Sequence, residues 1–292
     1  MNFFLSIIFL AFRFFIVIIP FWLLYFFSDI LRFFLEKVFK YRKDVIKQNL
    51  ELCFPELSVK EINKILHLFY KNLADIMMEG IKAFAMSDKQ IIVRHKITNP
   101  EVIEHFFKLN RSVISVPCHY GNWEWGASSP SLQLSKDMYV FYKPLSNKYV
   151  DRYIRNIRSK SGSELVSIYN TAKVFERNAD MAVGYVMVAD QSPSSQRRAY
   201  WVNFLGCETA FLHGPEFYAR RYDIPIVFID IQRVKRGYYE LTCSVISDNP
   251  KNTAEGEITT RYAQKLEEAI LIKPENWLWS HRRWKLNRDP NK

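Results

Sequence analysis

The pattern of apolar and polar positions divides this 292-residue chain into two unlike parts. From Phe3 to Phe27 there is one charge, Arg13, and 19 of the 25 positions are Leu, Ile, Phe or Val. A helix of about 25 residues measures roughly 37 Å, enough to cross a hydrocarbon core of about 30 Å. Arg13 costs about 3 kcal/mol on the insertion scale, and the apolar residues around it outweigh that cost. The pattern predicts an N-terminal membrane anchor over residues 1–40, kinked but not ended at Pro20. The alternative is a helix lying in the membrane interface with Arg13 snorkelling. No basic stretch precedes the run and no small-x-small site follows it, so a cleaved signal is not expected. Arg32, Lys37, Lys40, Arg42, Lys43 and Lys47 come next, which places residues 41–292 on the cytoplasmic side.

In that second part, Ser58 and Glu61 form a capping box ahead of apolar positions that recur at three- and four-residue steps from Ile62 to Gly80. They predict one long amphipathic helix. Short apolar runs then alternate with helical stretches. Strands are expected at Val113–Pro117, Met138–Tyr142, Glu164–Ile168, Met181–Ala189, Pro225–Ile231 and Tyr238–Val245, and helices at Asn147–Lys160, Thr171–Arg177, Leu212–Tyr222 and Thr253–Ile272. This alternation implies an α/β layered sheet flanked by helices, in a single domain after the anchor.

Composition adds two constraints. The formal charge of +11 suits nucleic acid, an anionic membrane surface, or an acidic protein or phosphorylated substrate, as well as a plain solvated basic face. Cys53, Cys118, Cys207 and Cys243 lie far apart with no C-x-x-C spacing, which argues against a zinc ribbon or a disulfide framework.

The candidate chemistry lies in Val113-Ile-Ser-Val-Pro-Cys-His-Tyr-Gly-Asn-Trp-Glu-Trp-Gly126. A buried strand ends at Pro117, Gly121 marks a turn, and Asn122 is placed to cap a helix. His119 and Glu124 would sit about 140° apart on a continuous helix, but a turn between them allows them to meet. Glu124 would then accept one imidazole N–H and the other nitrogen would take a proton from a hydroxyl. Backbone amides at the helix start would hold an oxyanion or a phosphate. A structural histidine at a strand end is the plainer reading. Cys118 points away from His119 in an extended chain, and His119, Glu124 and Asp190 lack a recognised metal spacing.

These residues bring a resemblance into view. H-Y-G-N-W-E over His119–Glu124 resembles the motif of the lipid A late acyltransferases, the lauroyl/myristoyl type of the lysophospholipid acyltransferase superfamily. Tyr41-Arg-Lys-Asp-Val-Ile-Lys-Gln-Asn-Leu50, Val140-Phe-Tyr-Lys-Pro-Leu145, Asp190-Gln191, Phe204-Leu-Gly206, Thr209-Ala-Phe211, Gly214-Pro215 and Trp277-Leu-Trp-Ser-His-Arg-Arg-Trp284 are similar to further family segments, in family order. The resemblance implies a glycerol-3-phosphate acyltransferase-like fold and an acyl carrier protein thioester as donor. The acceptor would be an inner-membrane glycolipid such as a lipid A precursor, with no metal, organic cofactor or nucleic acid. It places His119 and Glu124 in catalysis, and Lys143, Arg158, Asp190, Gln191, Gly206 and Thr209 in substrate binding. Lys143 replaces the usual Arg and lacks its bidentate fork. Arg158 stands with Arg152, Arg155 and Lys160 in a basic run that either faces solvent or meets a phosphate or the carrier protein. Gly206 and Gly214 also suit plain turns, and the Trp-rich tail also suits sheet packing or the membrane interface. The same chemistry on another lipid, or a non-enzymatic membrane-tethered binding protein, are the rival readings. The latter has no use for the histidine and carboxylate.

Overall fold

In the computed structural model, which describes residues 19–144, 151, 161–196 and 199–288, helix α1 (Phe21–Phe33) begins directly after Pro20. Ile19 and Pro20 are not helical, and Pro20 holds the extended N-cap position with ψ 157°. The expected kink is therefore a helix start, because proline has no N–H to donate and its ring clashes with the preceding turn. Residues 3–18 of the expected anchor lie outside the described residues. Among the described residues no helix is long and apolar enough to cross a membrane.

Helix α1 packs on the long helix α3 (Val59–Ala83), which follows α2 (Lys43–Cys53) and starts at the predicted Ser58–Glu61 capping box. Leu24 and Ser28 are buried there, and Ser28 Oγ donates to Asp75 Oδ1 at 2.6 Å. Asp75 is the shared anion of a cluster: Arg233 donates to it at 2.6 Å, and Arg236 bridges it at 2.7 Å and Asp29 at 2.8 Å. Those arginines flank the turn between β8 (Ile226–Lys235) and β9 (Tyr238–Ser247), so one buried carboxylate joins α1, α3 and the sheet.

The sheet has seven strands in the order β1-β9-β8-β2-β5-β3-β4, with β1 His95–Ile97, β2 Val113–Val116, β3 Met138–Tyr142, β4 Glu164–Ser167 and β5 Gly184–Val186. Among the described residues of this sheet, β8 and β9 form the antiparallel pair and the other neighbours run parallel. Ser115 of β2 sits opposite Val186 of β5 and Val227 of β8, so β2 and β5 end side by side. Helices α4 (Asp88–Arg94), α5 (Glu101–Lys108), α6 (Thr171–Arg177), α7 (Gly214–Tyr222) and α8 (Glu257–Ile272) complete the layers. The α/β expectation for the sheet and its flanking helices holds in this mixed form.

Several boundaries move for local reasons. The run from Met181 to Ala189 is a regular strand only at Gly184–Val186, with flanking hydrogen bonds from Val113 N to Val183 O and from Met187 N to Ser115 O. Helix α7 starts at Gly214-Pro215, where a proline without an N–H is tolerated. Helix α8 starts at Glu257 because Gly256, at φ 82°, breaks the regular backbone. Gly256 offers no side-chain cap, and the buried Glu216 of α7 replaces it by accepting from Gly256 N, Thr259 N and Thr259 Oγ1. The predicted helix at Asn147–Lys160 falls outside the described residues, apart from Asp151.

Asp75→Ala should lower stability by about 3 kcal/mol, because it leaves two partly buried guanidinium groups without their shared partner. Urea unfolding should show a lower midpoint at unchanged slope. A loss under about 1 kcal/mol would mean that the cluster behaves as a surface pair.

Candidate active site

The apolar strand β2 runs out at Pro117 and Cys118, and the next side chain, His119, emerges at the carboxyl edge of the sheet. Gly121 turns the chain with φ 61°, and a Cβ there would stand 2.3 Å from Ile231 O. Only glycine fits. Asn122 Oδ1 then accepts from Trp125 N at 3.0 Å. The α-helix it was expected to cap does not form: a single 3-10 turn follows, Trp125–Ala127, with Glu124 at its N-cap position.

His119 does not hydrogen-bond to Glu124. Its Nδ1 lies 2.7 Å from Asp190 Oδ1, while its backbone N donates to Asp190 Oδ2 at 3.0 Å. Trp277 Nε1 donates to the same Oδ2 at 3.0 Å. Gln191 Nε2 stands 3.3 Å from His119 Nε2. With Nδ1–H given to Asp190, Nε2 carries a lone pair and accepts from that amide. Both ring nitrogens are therefore taken by the chain after β5, which the parallel pairing of β2 and β5 brings alongside. Glu124 instead accepts from Trp123 Nε1 at 3.2 Å and acts on His119 by its charge through space. Trp123 closes over the imidazole, ring centroids 5.6 Å apart.

Asp190 is 2% exposed and His119 22%, so the acid is hidden and the base faces the opening. Burial alone would push the His119 pKa down, but the charge and hydrogen bond of Asp190, then the charge of Glu124, outweigh it and hold the pKa above the ordinary value. Burial would raise Asp190, yet the charge and hydrogen bonds of His119 and the Trp277 N–H keep it below the usual carboxylate range. A nearby second imidazole, His281, accepts from Ser192 N at 3.0 Å and is kept neutral, its pKa pushed down to about 4 by burial. Cys118 is buried, and burial with the charges of Asp190 and Asp230 pushes its thiol well up, so it is no nucleophile.

Five of the amides around the expected oxyanion site are already engaged. Those of His119, Tyr120, Gly121, Trp125 and Gly126 bond respectively to Asp190, Cys118 O, Asn276 O, Asn122 Oδ1 and Trp123 O. The expected α-helix start does not form, and these five amides hold the turn in place.

The other candidates divide. Lys143 is exposed just beyond β3, on the same strand-end edge as Asp190. Gly206 lies in a hairpin that the apolar pattern did not predict, β6 (Ala199–Phe204) with β7 (Cys207–Leu212). Its two-residue turn has Leu205 at φ 51° and Gly206 at φ 75°, the paired positive angles of a tight hairpin. Thr209 Oγ1 donates to Cys207 O and accepts from Trp284 Nε1, both at 2.8 Å, which fastens the C-terminal segment to the hairpin. Arg158, Arg152, Arg155 and Lys160 lie outside the described residues. Sequence reasoning missed Trp277, His281 and Trp123, although the density of Trp and His in Trp277–Trp284 was a signal.

A histidine oriented by a buried carboxylate, at the carboxyl ends of adjacent parallel strands, is an arrangement suited to proton transfer in a transferase or hydrolase. A sequence profile described as "Bacterial lipid A biosynthesis acyltransferase" matches residues 1–286. The chain therefore belongs to the bacterial lipid A biosynthesis acyltransferase family, a family of O-acyltransferases. It is 24% identical over 253 residues to a lipid A biosynthesis lauroyltransferase of Escherichia coli (strain K12), covering 84% of this chain and 80% of that protein. It is 22% identical over 249 residues to a lipid A biosynthesis palmitoleoyltransferase of the same organism, covering 84% and 79%.

If His119 acts as a general base it must be neutral, and its raised pKa then places the acidic limb of kcat/KM above about 6.5, the ordinary histidine value. Asp190→Asn removes the charge that favours the imidazolium, so the limb should move to lower pH. The plateau should also fall by roughly 10³–10⁴, as when a histidine loses its orienting carboxylate. An unmoved limb in a pH–rate series would remove Asp190 from this role.

Proposed function

We propose that this protein transfers a fatty acyl chain from an acyl carrier protein thioester to a hydroxyl of a lipid A precursor, with His119 as general base. The observation that carries the reading is the 2.7 Å contact between His119 Nδ1 and the buried Asp190, which points the lone pair of Nε2 toward the opening. The acceptor hydroxyl takes the place of the Gln191 amide at Nε2. As its proton passes to Nε2, its oxygen attacks the thioester carbonyl. The tetrahedral intermediate collapses with loss of the thiolate, which takes the proton back from the imidazolium. The products are an ester and a free thiol. Asp190 and Glu124 supply the negative charge that stabilises the imidazolium between these steps.

Placement at the inner membrane, with the catalytic part on the cytoplasmic side, accords with the outer face of α1. Trp22, Phe26, Ile30 and Phe33 form one exposed stripe, followed by Phe34, Val38 and Phe39 beside Lys37, Lys40 and Lys43. An aromatic stripe with a basic border suits the headgroup boundary of an anionic bilayer. An acidic carrier protein likewise complements a chain of net charge +11.

His119→Ala should lower ester formation from a purified acyl carrier protein thioester and a lipid A precursor by about 10²–10⁴, with little change in thermal midpoint. Lipid mass spectrometry of the product reads the transfer. Transfer near the wild-type rate would end the general-base assignment.

A further inference from the structure

We infer that the Glu79–Gly80 step of α3 is a positioning platform for the turn that carries His119 and Glu124. Glu79 fixes the turn through Asn122, and Gly80 leaves the space in which Glu124 lies. The inference rests on the acyl-transfer reading, in which the charge of Glu124 supports the imidazolium.

Glu79 lies near the C-terminal end of the long helix α3, four residues before Ala83, and is fully buried. Three side chains converge on its carboxylate: Tyr25 OH at 2.8 Å on Oε1, and Asn122 Nδ2 at 2.7 Å and Tyr239 OH at 2.8 Å on Oε2. Its backbone O accepts from Trp125 Nε1 at 3.0 Å. Asn122 Oδ1 braces the turn by accepting from Trp125 N, so Glu79 holds that side-chain amide in one orientation and grips Trp125 as well. Burial pushes the Glu79 pKa up to about 7, a cost that a residue used only for helix packing has no reason to carry.

Gly80 supplies an independent observation. Glycine is a poor helix former, and although Gly80 stands in the last turn of α3, its regular backbone, with no positive φ, does not call for glycine. A Cβ at Gly80 would meet Glu124 Cγ at 3.3 Å and Glu124 Cβ at 3.6 Å. The missing methyl is thus filled by the side chain that the mechanism uses. Alanine there would displace Glu124 by a few tenths of an ångström and leave the helix at least as stable.

The test is a double-mutant cycle of Gly80→Ala with Glu124→Ala, read as kcat, KM and the acidic limb of the pH–rate profile. Gly80→Ala should keep or raise the thermal midpoint and leave KM unchanged. It should lower kcat roughly five- to tenfold, less than the about 10²-fold of a 1 Å misplacement. The acidic limb should move to lower pH as the charge of Glu124 recedes. In the Glu124→Ala background, Gly80→Ala should have no further effect. Glu79→Gln, which replaces a carboxylate oxygen with an N–H donor, should lower kcat about tenfold at constant KM. Wild-type kcat and limb in Gly80→Ala, or an equal loss in both backgrounds, would overturn the platform. A Glu124→Ala enzyme with wild-type kinetics would overturn the assigned part of Glu124 itself.

Discussion

Three segments of the chain meet on the carboxylate of Asp190, and the arrangement of the site follows from what that group requires. A charged carboxylate taken out of water is costly unless its oxygens are satisfied by donors, preferably with a cation alongside. Asp190 receives the backbone N and ring Nδ1 of His119, 71 residues earlier, and the indole N–H of Trp277, 87 residues later. Meeting that requirement fixes the His119 ring and also brings the C-terminal segment into the candidate site. Leu278 N donates to His119 O at 3.0 Å, Gly121 N to Asn276 O at 3.1 Å, and Tyr120 pairs with Trp277 as an isolated bridge. The tail thus acts as a short strand laid along the catalytic turn. It is held from outside by Asn49, which donates to Trp279 O and His281 O.

A second set of buried charges supports this arrangement from behind. Arg283 is 1% exposed, lies over the Phe211 ring at 4.4 Å and donates to Ala210 O at 2.6 Å. Burial pushes its pKa down to about 10, and the nearby negative charge of Asp190 acts against that shift. On the opposite side, Glu79 and Asp75, one helical turn apart on α3, hold the catalytic turn and the β8–β9 turn respectively. Replacement of any of these groups by an apolar residue would leave donors or charges stranded in a low-dielectric interior.

Much of this was legible in the sequence, in proportion to how local the cause was. Near-continuous apolar runs gave β2, β3, β4, β5, β8 and β9 but not the short β1, and β3 and α6 fell at their predicted limits because turn-forming residues bound both ends. His119 was legible as a polar residue at the end of such a run. Its partner was not: spacing along the chain offered Glu124, five positions on, while strand pairing delivered Asp190. No local pattern encodes the adjacency of β2 and β5. The hairpin of β6 and β7 was hidden because its turn uses Leu205 at positive φ instead of the usual Asn-Gly signal. The start of α8 was hidden because its cap, Glu216, comes from another helix. Pro20 was visible but misjudged, since an apolar run on both sides favoured a continuous helix.

The central claim is that Asp190 holds His119 in the Nδ1–H tautomer, leaving Nε2 as the base. Heteronuclear NMR of the full-length enzyme with ¹⁵N-labelled histidine, titrated across neutral pH, reads this directly. The account predicts that the neutral His119 ring shows a protonated Nδ1 and an unprotonated Nε2, and that the ring titrates above the ordinary histidine range. A neutral ring protonated at Nε2, or one that titrates below that range, would contradict it.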